Sequence, residues 1–124
     1  MPEAAAQAIG ARRLIDGQWR MAGELGTVGT LSFFPSKNLG AWGDGGMMVT
    51  QDQARADRLR KLRLHGGAKQ YHHDEVGFNS RLDYLPAAVL LAKLPHLAAW
   101  NTARSAHAAC SPATFATVPP VPTP

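Results

Sequence analysis

The sequence predicts an α/β domain, and three observations carry that expectation. "TVGTLSF" (Thr27 to Phe33) and "GMMVT" (Gly46 to Thr50) have the β-branched, aromatic and large apolar content of short strands. Two later stretches place apolar residues at helical spacing. With 45% hydrophobic and 18% charged residues, the chain can bury a core and is not compositionally disordered. Its 124 residues give room for one small domain and little for both a cofactor cleft and a substrate lid.

Taken in order, Ala4 to Ala11 is small and alanine-rich and reads as helical, while "DGQWRMAGELG" (Asp16 to Gly26) carries turn signals and reads as irregular. The two strands follow, with Lys37 in the loop between them. From Asp52, the recurrence of Ala56, Leu59 and Leu62 among Arg and Lys predicts an amphipathic helix stopped by Gly66-Gly67. Residues 68–83 have no sustained period and read as a polar loop. Leu85, Ala88, Val89 and Ala92 then predict a core-facing helix with Pro86 near its start, which Pro95 kinks or divides. The segment 111–124, rich in Pro and Thr and free of charge, has the composition of a disordered tail, leaving 1–110 as the domain.

Charge and cysteine content narrow the function classes. The net charge of +4 favours anionic ligands such as phosphates without demanding nucleic acid, and much of the excess lies between Arg58 and Lys69. The single cysteine, Cys110, excludes an internal disulfide and suits the cytoplasm. The N-terminus lacks the basic start and apolar run of a secretory signal, and no apolar stretch approaches the roughly 20 residues that span a bilayer, so no membrane role is expected. A basic module binding nucleic acid through Arg58, Arg60, Lys61, Arg63 and Lys69 is an alternative with only Tyr71 nearby to stack a base. His72-His73 with Asp74 and Glu75 does not make a metal site, because adjacent side chains of an extended segment point apart and no third spaced ligand follows; no metal is expected.

The stretch "SFFPSKNLGAWGDGG" (Ser32 to Gly46) sets Lys37 between serines and a run of glycines that permit close backbone approach. A lysine that forms a Schiff base needs a fixed position, a supply of free amine and an anion-binding loop if its partner is a phosphorylated aldehyde. From spacing alone Lys37 is equally a solvated surface charge, and the glycines match neither a Walker loop nor the dinucleotide fingerprint.

That stretch, together with "GFNSRLD" (Gly77 to Asp83), resembles the DegT/DnrJ/EryC1/StrS family of pyridoxal-phosphate-dependent sugar aminotransferases, and the resemblance runs from about Glu3 to about Trp100. It implies a partial large domain of a fold type I transferase, with Lys37 as the residue that holds pyridoxal 5'-phosphate covalently. It also implies that Ser32 holds the cofactor phosphate, that Gln7 packs against the pyridine ring, and that Asn79 reaches the phosphate from the neighbouring subunit of a homodimer. The plain alternatives are a strand serine satisfied by backbone, an exposed helical glutamine and a loop-capping asparagine. The resemblance places His72, His73 and Arg81 at the substrate, a nucleotide-sugar whose keto group receives an amine, often from glutamate. Against this stand a loop packed on its own polar residues and an ion pair of Arg81 with Asp83 or Glu75.

One departure matters. The family pattern near Gln7 is similar to Glu-Asp-Ala-Ala-Gln, and this chain has Ala4 where the aspartate that pairs with the pyridinium nitrogen would stand. Family chains also begin before Glu3 and continue beyond Trp100, and the tail from Ser111 departs from them, which suggests a truncated or frameshifted product. A catalytically inactive remnant that keeps only the core and dimer surface is the runner-up reading.

Overall fold

A computed structural model describes the backbone of residues 1–69 and 71–115, and the side chains of these up to residue 110. Its elements in order are β1 (Glu3–Ala4), β2 (Arg12–Ile15), β3 (Gln18–Met21), β4 (Gly29–Ser32), β5 (Gly46–Val49), α1 (Gln53–Leu62), α2 (Tyr84–Lys93), a single 3-10 turn (Leu94–His96) and α3 (Leu97–Phe115). The five strands all precede the helices, and the expectation of a partial α/β domain holds.

The main sheet has the order β1-β4-β5. β4 sits centrally, parallel to β1 with Glu3 opposite Gly29, and antiparallel to β5 with Ser32 opposite Gly46. Two readings of the N-terminal region are overturned here. Residues 4–11 are not a helix, because β1 is drawn onto the sheet: the Ala5 N–H donates to the Thr30 carbonyl at 3.0 Å, and turns follow. Tertiary pairing outweighs alanine's helical preference. The stretch 16–26 is not irregular throughout either: Gln18–Met21 is β3, paired with β2 in a hairpin whose Asp16-Gly17 turn has positive φ at both residues, 49° and 74°. That is the backbone twist a two-residue hairpin turn selects.

Helix α1 starts where expected. The Asp52 carboxylate accepts from the Arg55 N–H at 3.0 Å, and Arg60 and Lys61 lie in the last turn, where the helix carbonyls favour cations. Helix α2 starts near Pro86, whose missing donor costs little in a first turn, and Pro95 divides it from α3 through the 3-10 turn. The buried face of α2 differs from the predicted stripe. Leu85, Ala88 and Ala92 are exposed, and Leu90 packs inward with Leu97 beyond it. The helix is apolar nearly all round, so periodicity alone could not choose its inner face.

The core is small: Phe33, Leu39, Ala41 and Leu90 are buried together, with Ile9, Leu82 and Leu97 packed against them. Three of these four flank the loop that carries Lys37. Helix α3 runs through Phe115, into the first residues of the segment read as a tail, and 116–124 lie outside the described residues. No described helix is long and apolar enough to cross a membrane.

Candidate functional site

Lys37 stands on a loop that the fold closes tightly. At its base the Ala41 N–H donates to the Phe33 carbonyl at 2.7 Å, and the Lys37 N–H donates to the Phe34 carbonyl at 2.9 Å, forming a turn just before the lysine. Gly40 has no substitute here, since a Cβ would run into the Pro35 carbonyl. From α2, the Lys93 ammonium donates to the Gly40 carbonyl. Phe33, Leu39 and Ala41 pack underneath, so a half-buried lysine is presented from a fixed base.

Ser32 is the last residue of β4. Its Oγ accepts from the Phe34 N–H at 3.3 Å, which uses the oxygen as acceptor and leaves the hydroxyl hydrogen able to donate. Gln7 is exposed in the turn that follows β1. Because β1 and β4 are parallel, the Gln7 turn and the Ser32–Lys37 loop leave the sheet at the same end, the carboxyl end, where open α/β sheets bind their ligands. The antiparallel β5 begins at that end too, bringing the Gly43–Gly46 run alongside. Ala4 lies in β1 opposite Thr30, and its methyl group can neither donate nor accept.

The other predicted residues form a second constellation. The chain from Phe78 to Ser80 returns along Leu62 to His65, with the Phe78 N–H on the Leu62 carbonyl at 2.7 Å and Asn79 bridged to Leu64. Asn79 is exposed, and among the described residues nothing joins it to Lys37 within one chain. A cavity of about 630 Å³ opens beside this segment, lined by Leu64, His65, Ala68, Tyr71, His73 and Arg81 among others. His73 and Arg81 are thus brought together, whereas His72 is not among the lining residues. His73 Nδ1 lies 3.0 Å from the His65 carbonyl, which can only accept, so Nδ1 carries the proton in that contact.

Of the expected partners of Arg81, Glu75 pairs instead with Arg58 at 3.0 Å, and Asp83 stands at the N-cap position of α2 without a side-chain capping bond and in no ion pair of the described residues. Asp74 pairs with Lys61 at 2.7 Å, and this hydrogen bond holds the Asp74 carboxyl below the usual aspartate range. These two ion pairs staple the polar loop to α1.

Sequence reasoning missed Glu3. Its carboxylate accepts from the N–H groups of Gly23 (2.9 Å), Leu25 (2.8 Å) and Gly26 (3.2 Å), knitting β1 to the loop before β4. These bonds, that from Gly23 foremost, lower its pKa below the ordinary glutamate value. The glycines of 23–26 were the available signal, since a nest of backbone donors calls for an anion.

Comparison with known proteins follows the same geometry. The family model described as the DegT/DnrJ/EryC1/StrS aminotransferase family matches residues 2–124. The chain is 51% identical over 107 residues to a pleiotropic regulatory protein of Geobacillus stearothermophilus, covering 86% of this chain and 28% of that one. It is 56% identical over 102 residues to a UDP-N-acetyl-3-dehydro-alpha-D-glucosamine 3-aminotransferase of Acidithiobacillus ferrooxidans, covering 82% and 27%. Among solved structures, a DegT DnrJ EryC1 StrS aminotransferase from Brucella abortus superposes with a TM-score of 0.84 at 42% identity, covering 98% of this chain and 33% of that chain. S. venezuelae DesV, solved in complex with a ketimine intermediate, gives 0.80 at 46% identity, covering 97% and 32%. The chain therefore spans little more than a quarter of the length of these curated relatives.

Proposed function

The chain belongs to the DegT/DnrJ/EryC1/StrS aminotransferase family, and from that premise we propose that it carries the lysine of a pyridoxal 5'-phosphate-dependent aminotransferase acting on a keto group of a nucleotide-linked sugar. The observation that carries the reading is Lys37 itself, held on a closed loop at the carboxyl end of β4, five residues after the hydroxyl of Ser32.

The residues fit the cofactor at two points and fail at a third. An amine and a hydroxyl on one loop suit an aldehyde and a phosphate. Ala4 offers nothing to a ring nitrogen. When bound, pyridoxal phosphate supplies an electron sink for a carbon that loses its proton. The chain's part is to bind, orient and move that proton. Lys37 Nζ would hold the aldehyde of the cofactor, and as a free amine it could serve as general base and general acid for that proton. Ser32 would donate to a phosphate oxygen, and Gln7, from the turn after the neighbouring strand, would pack against the ring.

Asn79 is exposed and, among the described residues, shares no hydrogen bond with Lys37 of its own chain, which supports its reaching the phosphate of a second copy in a homodimer. The cavity with His73 and Arg81 supplies a guanidinium outside the ion pairs of the described residues, and this supports contact with the diphosphate of a nucleotide-sugar. His72 lies outside the cavity lining, and its proposed substrate contact rests on the family resemblance alone. Glutamate is the proposed amino donor. Engagement of Arg58 and Lys61 with Glu75 and Asp74 supports a loop anchor in place of a nucleic-acid surface, and the single Cys110 supports the cytoplasm. Ala4 favours a second reading, an inactive family remnant.

Incubating the protein with pyridoxal phosphate, reducing with borohydride and mapping the labelled peptide tests the assignment. Label on Lys37 is expected. Label confined to Lys61, Lys69 or Lys93 would overturn it.

A further inference from the structure

The residue after the lysine is tied down from beneath by carboxamides that no part of the chemistry above uses. Asn38 Nδ2 donates to the Ile9 carbonyl at 3.0 Å and to Asn101 Oδ1 at 3.1 Å, and Asn101 Nδ2 donates to the same Ile9 carbonyl at 3.0 Å. Three segments meet there: the lysine loop, the turn region after β1 that carries Gln7, and α3. The shared acceptor fixes both amides, because turning either one over would set its oxygen against the Ile9 oxygen.

Two further features show that the backbone is shaped around this contact. Gly10 has a φ of 82°, and a Cβ there would run into Asn101 Nδ2. Asn38 Oδ1 is buried with no hydrogen-bond partner among the described residues. A buried carbonyl without a donor is a cost, and an apolar side chain of similar shape at position 38 would avoid it while filling the same space. What the apolar side chain would not supply is a directed link from the backbone next to Lys37 to both the Gln7 turn and α3.

We infer that Asn38 and Asn101 are positioning residues that hold Lys37 in register with the Gln7 turn, so that amine and ring-facing residue are set by one part-buried contact. Its use in catalysis rests on the cofactor reading above; the contact stands on its own geometry. Neither asparagine is placed against cofactor or substrate.

The test compares the unaltered protein with Asn101→Ala, Gly10→Ala and Thr102→Ala. Gly10→Ala displaces the Asn101 amide without deleting it. Thr102→Ala removes a hydroxyl bond within the same helix, to the Ala98 carbonyl, and spares the clamp. Competitive acylation of the lysines across a pH series gives the profile of Lys37 relative to Lys69 in the same molecule, and the visible absorbance of the pyridoxal phosphate adduct gives the cofactor affinity. In Asn101→Ala and Gly10→Ala, the Lys37 to Lys69 ratio and the adduct affinity are expected to change about two- to tenfold, the equilibrium factor of one net hydrogen bond, with helical circular dichroism retained. Should Asn101→Ala lose its helical signal, Gly10→Ala decides. An unchanged Lys37 profile in Gly10→Ala, or an equal change in Thr102→Ala, overturns the inference. A shifted Lys37 profile in a protein that forms no visible adduct upholds the clamp and removes the cofactor reading.

Discussion

Glu3 and Ala4 are neighbours on a two-residue strand, and they push the protein in opposite directions. The Glu3 carboxylate is stabilised in the fold by three backbone donors, so its folded pKa lies below the unfolded value. The stability it contributes is therefore fully present above the ordinary glutamate range, near about 4.3, and is lost as pH falls through the lowered folded value. Glu3→Gln should lower unfolding stability at neutral pH, and its deficit should shrink as the solution is acidified below that range. Denaturant unfolding at several pH values checks this, and a deficit independent of pH would sink it. Ala4 concerns the cofactor. Ala4→Asp should tighten pyridoxal phosphate about tenfold or more, the worth of a charge-assisted hydrogen bond. Titration of the visible adduct measures it, and no gain would mean that the side chain at position 4 does not face the ring.

At the level of elements, legibility followed locality. β4, β5 and α1 were readable because their signals are a strand composition, a cap and a short apolar period. The hairpin was not, since β2 (Arg12, Arg13, Leu14, Ile15) does not alternate, β3 alternates over only four residues, and both strands are largely exposed, leaving the Asp16-Gly17 turn as the main cue. The inner face of α2 was ambiguous for the opposite reason, an excess of apolar residues. Of the candidate site, Lys37 and Ser32 stand in one contiguous motif that sequence alone can single out, whereas the Asn38–Asn101 contact joins residues 63 apart in sequence and leaves no local trace. The polar loop was recognised as a loop, but its construction was not. Gly66 is buried with a φ of 79°, and a Cβ there would strike the Glu75 carbonyl, while Gly67 and Gly77 meet backbone as closely. Gly66→Ala should cost more than about 1 kcal/mol of stability, from left-handed strain plus the backbone collision. Lys61→Met, which removes one partly exposed ion pair, should cost less. Equal losses in denaturant unfolding would show that the loop tolerates the added methyl.

Across the whole molecule, a small core serves many exposed apolar side chains, among them Tyr84, Leu85 and Leu91 on α2 and Val76 and Phe78 on the loop leading to Asn79. If Asn79 completes the site of a second copy, subunits carrying Asn79→Ala and Lys37→Ala should complement each other. In a background restored to the full length of the family, random pairing gives mixed dimers with one intact site, and the mixture should recover about a quarter of that background's aminotransferase rate, the share of intact sites under two-fold symmetry; the chain by itself is expected to be inactive. A mixture no more active than either parent would place Asn79 elsewhere.

The clamp beneath the lysine also sets an order of events in time. The β4–β5 pairing and the turn before Lys37 need only nearby residues, and loops of that kind close early. Pairing of β1 with β4 spans a longer stretch, and the Asn38 amide finds its last partner only when residue 101 is available. During synthesis from the N-terminus, then, the lysine loop is built well before it is fastened, and Lys37 passes through an interval in which its reach is unrestrained. Fastening awaits α3, so Lys37 gains its final bearing only after the sheet that carries it has formed.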